Sequence, residues 1–431
     1  MSSLLVTGAR ILGGRPADLL IRGGIIVEMG SLPGTRADAV LDADGLVALP
    51  GLVDLHTHLR EPGREVAETV STGTRAAAGG GYTAVHAMAN TDPVADTPQR
   101  VEHVYDLGRR DGHCDVMPVG AVTLGLAGTE IADLEGMAQS RARVRIFSDD
   151  GRCVSDPVIM RSALVRATAL DGVVAQHAQD QDLAGVGQAN AGEAARLLGV
   201  QPWPSVGEEV IVARDCLLAR DAGARLHVCH VSTAGTVDVI RWAKQRGIRV
   251  TAEVTPHHLM LTDARTAEAD TRFKVNPPLR SREDVVALRA ALADGTIDVV
   301  ATDHAPHPMV DKAQEWTAAP VGMTGLETAL AVVAEVMLSG GAMSWGDIAA
   351  CMSHRPAAIA GIAHLHGRQL EVGAPANLCL VDSGGNWVVD PDKRFSRSGN
   401  TPFAGHRFSH RVVATILRGT ISHQQVATSS T

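Results

Sequence analysis

The sequence predicts an α/β chain: a (β/α)8 TIM barrel with a small β-sandwich domain formed by the N- and C-terminal segments. Three observations predict it. Between residues 51 and 365, eight short apolar runs alternate with segments of helical length; repeated strand-then-helix units imply parallel strands, and these close into a barrel. The flanking stretches, 1–50 and 366–431, hold only short strand-like runs and tight turns. The 431 residues are 45% hydrophobic but only 3% aromatic, a composition that buries a large aliphatic core, and the length suits one barrel of about 250 residues with a smaller companion.

In order along the chain, LLVTGARIL, ADLLIRGGIIVEMG and AVLDADGLVAL read as strands, with Gly23-Gly24 as a hairpin turn. The barrel strands are expected at 52–58, 82–88, 115–122, 143–149, 173–177, 225–231, 249–254 and 297–302, with helices at 64–78, 99–110, 157–171, 207–222, 233–246 and 282–293. Short strands return in GRQLEVGAPANLCLVD, NWVVD and HRVVATILRGTISHQ, and the polar end QQVATSST is expected to fray.

The net charge of −9, with no basic block, excludes nucleic acid and anionic membrane as partners. No apolar run reaches the roughly 20 residues that span a bilayer, and MSSLLVTGARIL lacks the basic start of a secretory leader. Cys114, Cys153, Cys216, Cys229, Cys351 and Cys379 form no CxxC pair and read as reduced, mostly buried thiols. A cytoplasmic protein acting on a small molecule is expected.

Six potential metal ligands close separate strand candidates. In His56-Thr57-His58 two imidazoles leave the same side of one strand, because residues i and i+2 share a face; such a pair is a pincer for a divalent cation. In FSDDG, Asp150 is in phase with Val144, Ile146 and Ser148, a small aliphatic face suited to a barrel interior, whereas Asp149 follows Arg143, Arg145 and Phe147. His177 follows Val173 and Ala175, and His230 follows Leu226 and Val228, which leaves His227 facing outward. Asp303 follows Ile297, Val299 and Ala301 on the last strand and is the candidate general acid/base. The bland alternatives are a solvated Asp-Asp-Gly turn and buried structural histidines. Barrel enzymes keep their sites at the C-terminal strand ends, and all six residues stand there, enough for two ions sharing a bridge. His257-His258 reads equally as a ligand-orienting pair or as ordinary loop residues. Gly79-Gly80-Gly81 lacks the Lys-Ser/Thr of a phosphate loop and reads as a helix stop.

Several longer motifs, DLHTHLREPGREVAET, MANTDP, FSDDG, EVTPHHL, KVNPPLR and TDHAPH followed by GMTGLET, together with the flanking VGAPANLCLVD, resemble the class I bacterial dihydroorotases of the cyclic amidohydrolase superfamily over nearly the whole chain. The resemblance implies reversible cyclisation of N-carbamoyl-L-aspartate to L-dihydroorotate, a step of pyrimidine biosynthesis. It implies two divalent metal ions, zinc by family habit, held by His56, His58, Asp150, His177, His230 and Asp303, with Asp150 bridging and Asp303 catalytic. It further implies substrate contacts from His58, Arg60, Asn90, Asn276, His307 and the Val321-Gly322 backbone, where Val321 replaces the Phe or other apolar residue of related chains. Many relatives bridge their metals with a carboxylated lysine; the four lysines here, Lys244, Lys274, Lys312 and Lys393, close no strand facing the ligands, in keeping with class I.

Arg60 follows the ligand pair by two residues and leaves toward the same mouth. A guanidinium grips a carboxylate bidentately, which favours a carboxylated substrate over a hydantoin. A salt bridge with Glu61 or Glu65 is its structural alternative. The segment 305–321, APHPMVDKAQEWTAAPV, has Pro near both ends and little periodicity, and is expected to be a mobile lid carrying His307. Competing readings are an allantoinase or hydantoinase, and a non-catalytic barrel acting as a partner of aspartate transcarbamoylase. A homodimer is the default assembly, with association with aspartate transcarbamoylase open to an active enzyme too.

Overall fold

A computed structural model describes residues 3–425; the end of the chain from residue 426, on which most of the expected fraying falls, lies outside them. Five strands come first: β1 (Ser3–Ile11), β2 (Pro16–Arg22), β3 (Ile25–Gly30), β4 (Ala39–Asp42) and β5 (Val47–Pro50). β2 and β3 pair antiparallel with Arg22 opposite Ile25, so only Gly23 and Gly24 make the turn, at φ 56° and 82°. Two positive φ values in sequence match the twist of a hairpin and suit glycine.

The barrel follows: β6 (Leu52–Thr57), β7 (Tyr82–Ala87), β8 (Asp115–Pro118), β9 (Ile146–Phe147), β10 (Val173–Gln176), β11 (Leu226–Val228), β12 (Val250–Val254) and β13 (Val299–Val300). Neighbours pair in parallel. Parallel bridges Gly120–Phe147 and Thr57–His304 close the ring between β8 and β9 and between β13 and β6. Around it lie α1 (Val70–Gly79), α2 (Pro98–Asp111), α3 (Pro157–Ala169), α4 (Val206–Ala222), α5 (Ala234–Gln245) and α6 (Arg282–Asp294). Thr69 with Thr72, and Ser281 with Asp284, form capping boxes that start α1 and α6. The expected helix 64–78 begins only at Val70 because Glu68 is drawn inward, fully buried and bonded to Thr72, His304 and Ser396. Further helical turns at Ala329–Val333 and Trp345–Ala349 complete the wall after β13; no sequence pattern above placed them.

Finally β14 (Leu378–Asp382), β15 (Arg411–Leu417) and β16 (Thr420–Gln424) pair with β5 and with one another. The two chain ends thus share one eight-stranded sheet. It branches at β1, which pairs with β2 on one edge and with β4 and β5 on the other. The sheet encloses its own core of Val6, Leu19, Ile21, Ile26, Leu378, Leu380 and Ile416. No helix among the described residues is long and apolar enough to cross a membrane. All six cysteines are unpaired, and five are buried.

Candidate active site

Inside the barrel, Leu55, Ile146, Val173, Ala175, Cys229, Val299 and Ala301 fill the axis. Above them the six candidate ligands meet. Asp150 is at the centre: its Oδ1 is 3.2 Å from His56 Nε2, 3.3 Å from His177 Nδ1 and 3.6 Å from His230 Nε2, and its Oδ2 is 3.4 Å from His58 Nε2. Asp303 Oδ1 is 3.0 Å from His58 Nε2 and 3.5 Å from His56 Nε2. All six side chains are buried.

Strand parity explains the placement of Asp150, His177 and Asp303. Ile146 and Ser148 lead inward to Asp150, Val173 and Ala175 to His177, and Val299 and Ala301 to Asp303. The neighbouring Asp149 is buried elsewhere, its carboxylate accepting from Thr123 and from Val122 N at 2.8 Å. On β11 the parity is reversed from expectation. Leu226 and Val228 pack outward under the helices while Cys229 faces the axis. His227 is therefore interior, 2% exposed. His230 reaches the site because its backbone turns to φ 30° after the strand ends. Asp303 likewise sits at φ 46°. Left-handed backbone just beyond the ends of β11 and β13 is strain of the kind that functional sites hold.

Three of the four imidazoles are oriented from behind. His56 Nδ1 donates to Glu253 Oε1 at 2.6 Å, which leaves Nε2 as a lone pair aimed at Asp150. His58 Nδ1 donates to Asn90 Oδ1 at 2.9 Å, and His177 Nε2 donates to Gln179 Oε1 at 3.1 Å. Glu253 also accepts from His227 Nε2 at 3.0 Å and from His230 N at 3.2 Å. This is how proteins fix the tautomer of metal-binding histidines. Glu253 and Gln179 are the residues sequence reasoning missed. The signal was present for the first: a lone carboxylate inside the apolar strand VTAEV.

The electrostatics call for a cation. Asp150, Asp303 and Glu253 are buried together, and among the described residues no lysine or arginine forms an ion pair with them. Burial raises the cost of each carboxylate charge, yet the surrounding imidazoles pull Asp303 down to about 2 and Asp150 well below its ordinary value. Conversely, burial disfavours a charged His56, but Asp150, Glu253 and Asp303 push its pKa well up. Two atoms, His56 Nε2 and Asp150 Oδ1, are buried without a hydrogen bond although they face each other. Buried lone pairs left unpaired are costly, and four imidazoles with two carboxylates are the donor set of zinc and similar divalent metals. Glu253→Gln is expected to weaken metal binding by about 10–100-fold, read by competition with a chelator; unchanged affinity would remove Glu253 from this role.

The expected substrate contacts ring the same mouth. Asn90 Nδ2 lies 3.4 Å from Asp150 O, and Asn276 Nδ2 donates to Gln179 Oε1 at 3.0 Å beside His177. Arg60 is half-buried at φ 62°, its Nε donating to Pro306 O at 3.2 Å, with Nη2 3.4 Å from His307 Nε2. It forms no ion pair with Glu61 or Glu65; Glu61 caps Val70 N and Glu65 accepts from Gly63 N. His307 Nε2 donates to Val321 O at 2.8 Å, and its Nδ1 is buried without a partner. Val321 and Gly322 thus join the site through His307. His258 is used up by Thr255 and by the carbonyls of Pro277 and Pro278, whereas His257 Nε2 is buried and free of hydrogen bonds.

Comparison with known proteins gives the family and the fold. A family model described as Dihydro-orotase-like matches residues 45–236, and one described as Amidohydrolase family matches residues 207–422. The chain is 57% identical to a dihydroorotase of Streptomyces coelicolor, covering 97% of this chain and 98% of that protein. It is 55% identical to a dihydroorotase of Mycobacterium tuberculosis, with coverage of 97% and 98%. Among solved structures, the L-hydantoinase (dihydropyrimidinase) of Arthrobacter aurescens superposes with a TM-score of 0.88 at 25% identity, over 98% of this chain and 96% of that one. With near-full-length identity above half and a barrel of the same shape, the chain belongs to the dihydroorotases within the amidohydrolase family.

Proposed function

We propose that this protein is a dihydroorotase of the class I type, interconverting N-carbamoyl-L-aspartate and L-dihydroorotate in pyrimidine biosynthesis. One observation carries the reading: four buried imidazoles converge on Asp150 with Asp303 beside two of them, and an arginine two residues beyond the ligand pair faces the same mouth. Two divalent cations, zinc by the nature of the donors, would be held by His56, His58, Asp150, His177, His230 and Asp303, and when bound supply Lewis acidity and a water of lowered pKa.

The remaining work falls to the chain. Asp303, ionised at neutral pH, accepts the proton of the attacking water and returns it to the departing ring nitrogen. Arg60 holds the substrate carboxylate in a two-pronged grip. His307, with Nε2–H committed to Val321 O, offers Nδ1 as an acceptor to a substrate N–H. Asn90 and Asn276 supply amide groups on either side. Ring closure runs the same path backward. Closure consumes one carboxylate and one proton, so the equilibrium ratio of dihydroorotate to carbamoyl-aspartate should rise about tenfold for each unit drop in pH. A ratio indifferent to pH would exclude this reaction.

The deciding experiment is elemental analysis of the purified protein together with turnover of carbamoyl-aspartate. About two divalent ions per chain and turnover abolished by chelation are expected; an active metal-free enzyme would refute the reading. Unpaired thiols fit a reducing compartment, and we place the enzyme in the cytoplasm. A homodimer and contact with aspartate transcarbamoylase are further proposals, checked by sedimentation of the protein alone and mixed.

A further inference from the structure

Two of the four lysines are buried, Lys312 within the segment 305–322 and Lys274 against it. Lys312 is 0% exposed and Lys274 4%. Neither meets a carboxylate. The Lys312 amine instead donates to three backbone carbonyls, Pro320 O at 2.9 Å, Gly322 O at 3.1 Å and Lys274 O at 3.2 Å. Lys274 reciprocates on the same segment, donating to Trp316 O at 2.5 Å and Ala319 O at 2.7 Å. Gly322 N returns a bond to Lys274 O at 3.0 Å, and Thr271 Oγ1 holds the Lys312 carbonyl.

Burying a lysine amine among carbonyls alone is expensive unless all its donors are used. Burial lowers the Lys312 pKa to about 7, Lys274 adds repulsion, and Asp270 opposes both. Three acceptors for three N–H donors are the geometry of the ammonium form. The cost is concentrated on one short stretch of backbone, Pro320 to Gly322. That stretch carries Val321 O, the acceptor that fixes the His307 ring. Its other anchor is Asn400, whose Nδ2 donates to Gly322 O at 3.2 Å and Ala305 O at 3.0 Å.

We propose that Lys312 is a positioning residue of the reaction, its buried ammonium tying Pro320 and Gly322 so that the Val321-Gly322 backbone and His307 face the substrate, with Lys274 anchoring the far end of the segment. This rests on the reading above that His307 and Val321-Gly322 contact substrate. Lys312 touches neither substrate nor metal ligands and acts only through the backbone it holds.

The test uses the full-length, metal-loaded enzyme and Lys312→Met, which keeps the stem and loses all three donors. Hydrogen exchange of peptides covering 305–322 is expected to quicken about tenfold or more, with barrel peptides and metal content unchanged. In parallel, KM for dihydroorotate should rise about tenfold while kcat falls less. For Lys312→Ala, ethylammonium in the assay should restore KM several-fold, which a merely structural defect would not allow. Should the methionine variant not fold, Lys312→Gln keeps two donors and should show the same directions at smaller size. Unchanged exchange in the segment, faster exchange with KM within twofold of the parent, or no rescue by ethylammonium would each overturn the proposal. A parent enzyme without dihydroorotase turnover would instead refute the function while leaving the exchange result intact.

Discussion

Asp303→Asn should keep its bound metal and lose turnover by about 10²–10⁴-fold. Asparagine is the right probe on three counts. It is isosteric, so an oxygen can still stand 3.0 Å from His58 Nε2. Asn tolerates left-handed backbone better than most residues, which matters at φ 46°. And it cannot hold a proton in transit. In the parent, burial would favour the neutral acid, but the charges and hydrogen bonds of His56 and His58 hold the carboxyl at about 2, so the residue starts each hydrolytic cycle as a base. The loss should therefore appear in kcat with KM little changed, the pattern of an interaction made only in the transition state. Elemental analysis of the variant separates this from metal loss: a carboxamide is a poorer ligand, but five of the six donors are untouched. Turnover within tenfold of the parent at full metal content would move the acid/base role to another residue. His257, buried with a free Nε2, would be the first to examine.

The sequence's legibility followed how regular each strand is. Where the strand continues straight into the ligand, as from Val173 and Ala175 to His177, alternation alone found the side chain. β11 is only three residues long, and His230 enters the site through a left-handed turn beyond it, so counting by twos put the right residue inside for the wrong reason and sent His227 outward. Positions that serve the site indirectly were the least visible. Glu253 opens the motif EVTPHHL, but nothing local states its role, which exists only because β12 lies beside β11 and brings it under His56, His227 and the His230 amide. Glu68 broke the helical pattern at 64–69 for the same kind of reason, a long-range bond to His304 that no local periodicity encodes. Lys274 and Lys312 were legible only as lysines that close no strand facing the ligands; nothing in the sequence marks a lysine as buried when most lysines lie at the surface.

Arg60→Ala should cost about 2–5 kcal/mol of kcat/KM on dihydroorotate, roughly 30-fold to several thousand-fold, because truncation leaves a substrate carboxylate desolvated and unpaired. The guanidinium is suited to that partner. Burial, then repulsion from Arg64, lowers its pKa to about 10, which leaves it charged at neutral pH, and it has no carboxylate of its own to satisfy it; its Nε bonds to Pro306 O and its Nη2 only lies beside His307. A half-buried arginine without an acidic partner is one suited to an anionic ligand. Arg60→Lys should recover only part of the loss, since a point charge cannot reproduce the two-pronged contact. Hydantoin, which has no carboxylate, supplies the control. The fold is shared with hydantoinases, so the barrel by itself does not choose between the substrates; the arginine is expected to. In the parent, dihydroorotate should be turned over far faster than hydantoin, and in Arg60→Ala the two rates should converge because only the first falls. A parent that prefers hydantoin, or a variant in which both substrates lose equally, would mean that Arg60 supports the lid rather than reads the carboxylate, and the assignment of substrate class would lose its physical basis.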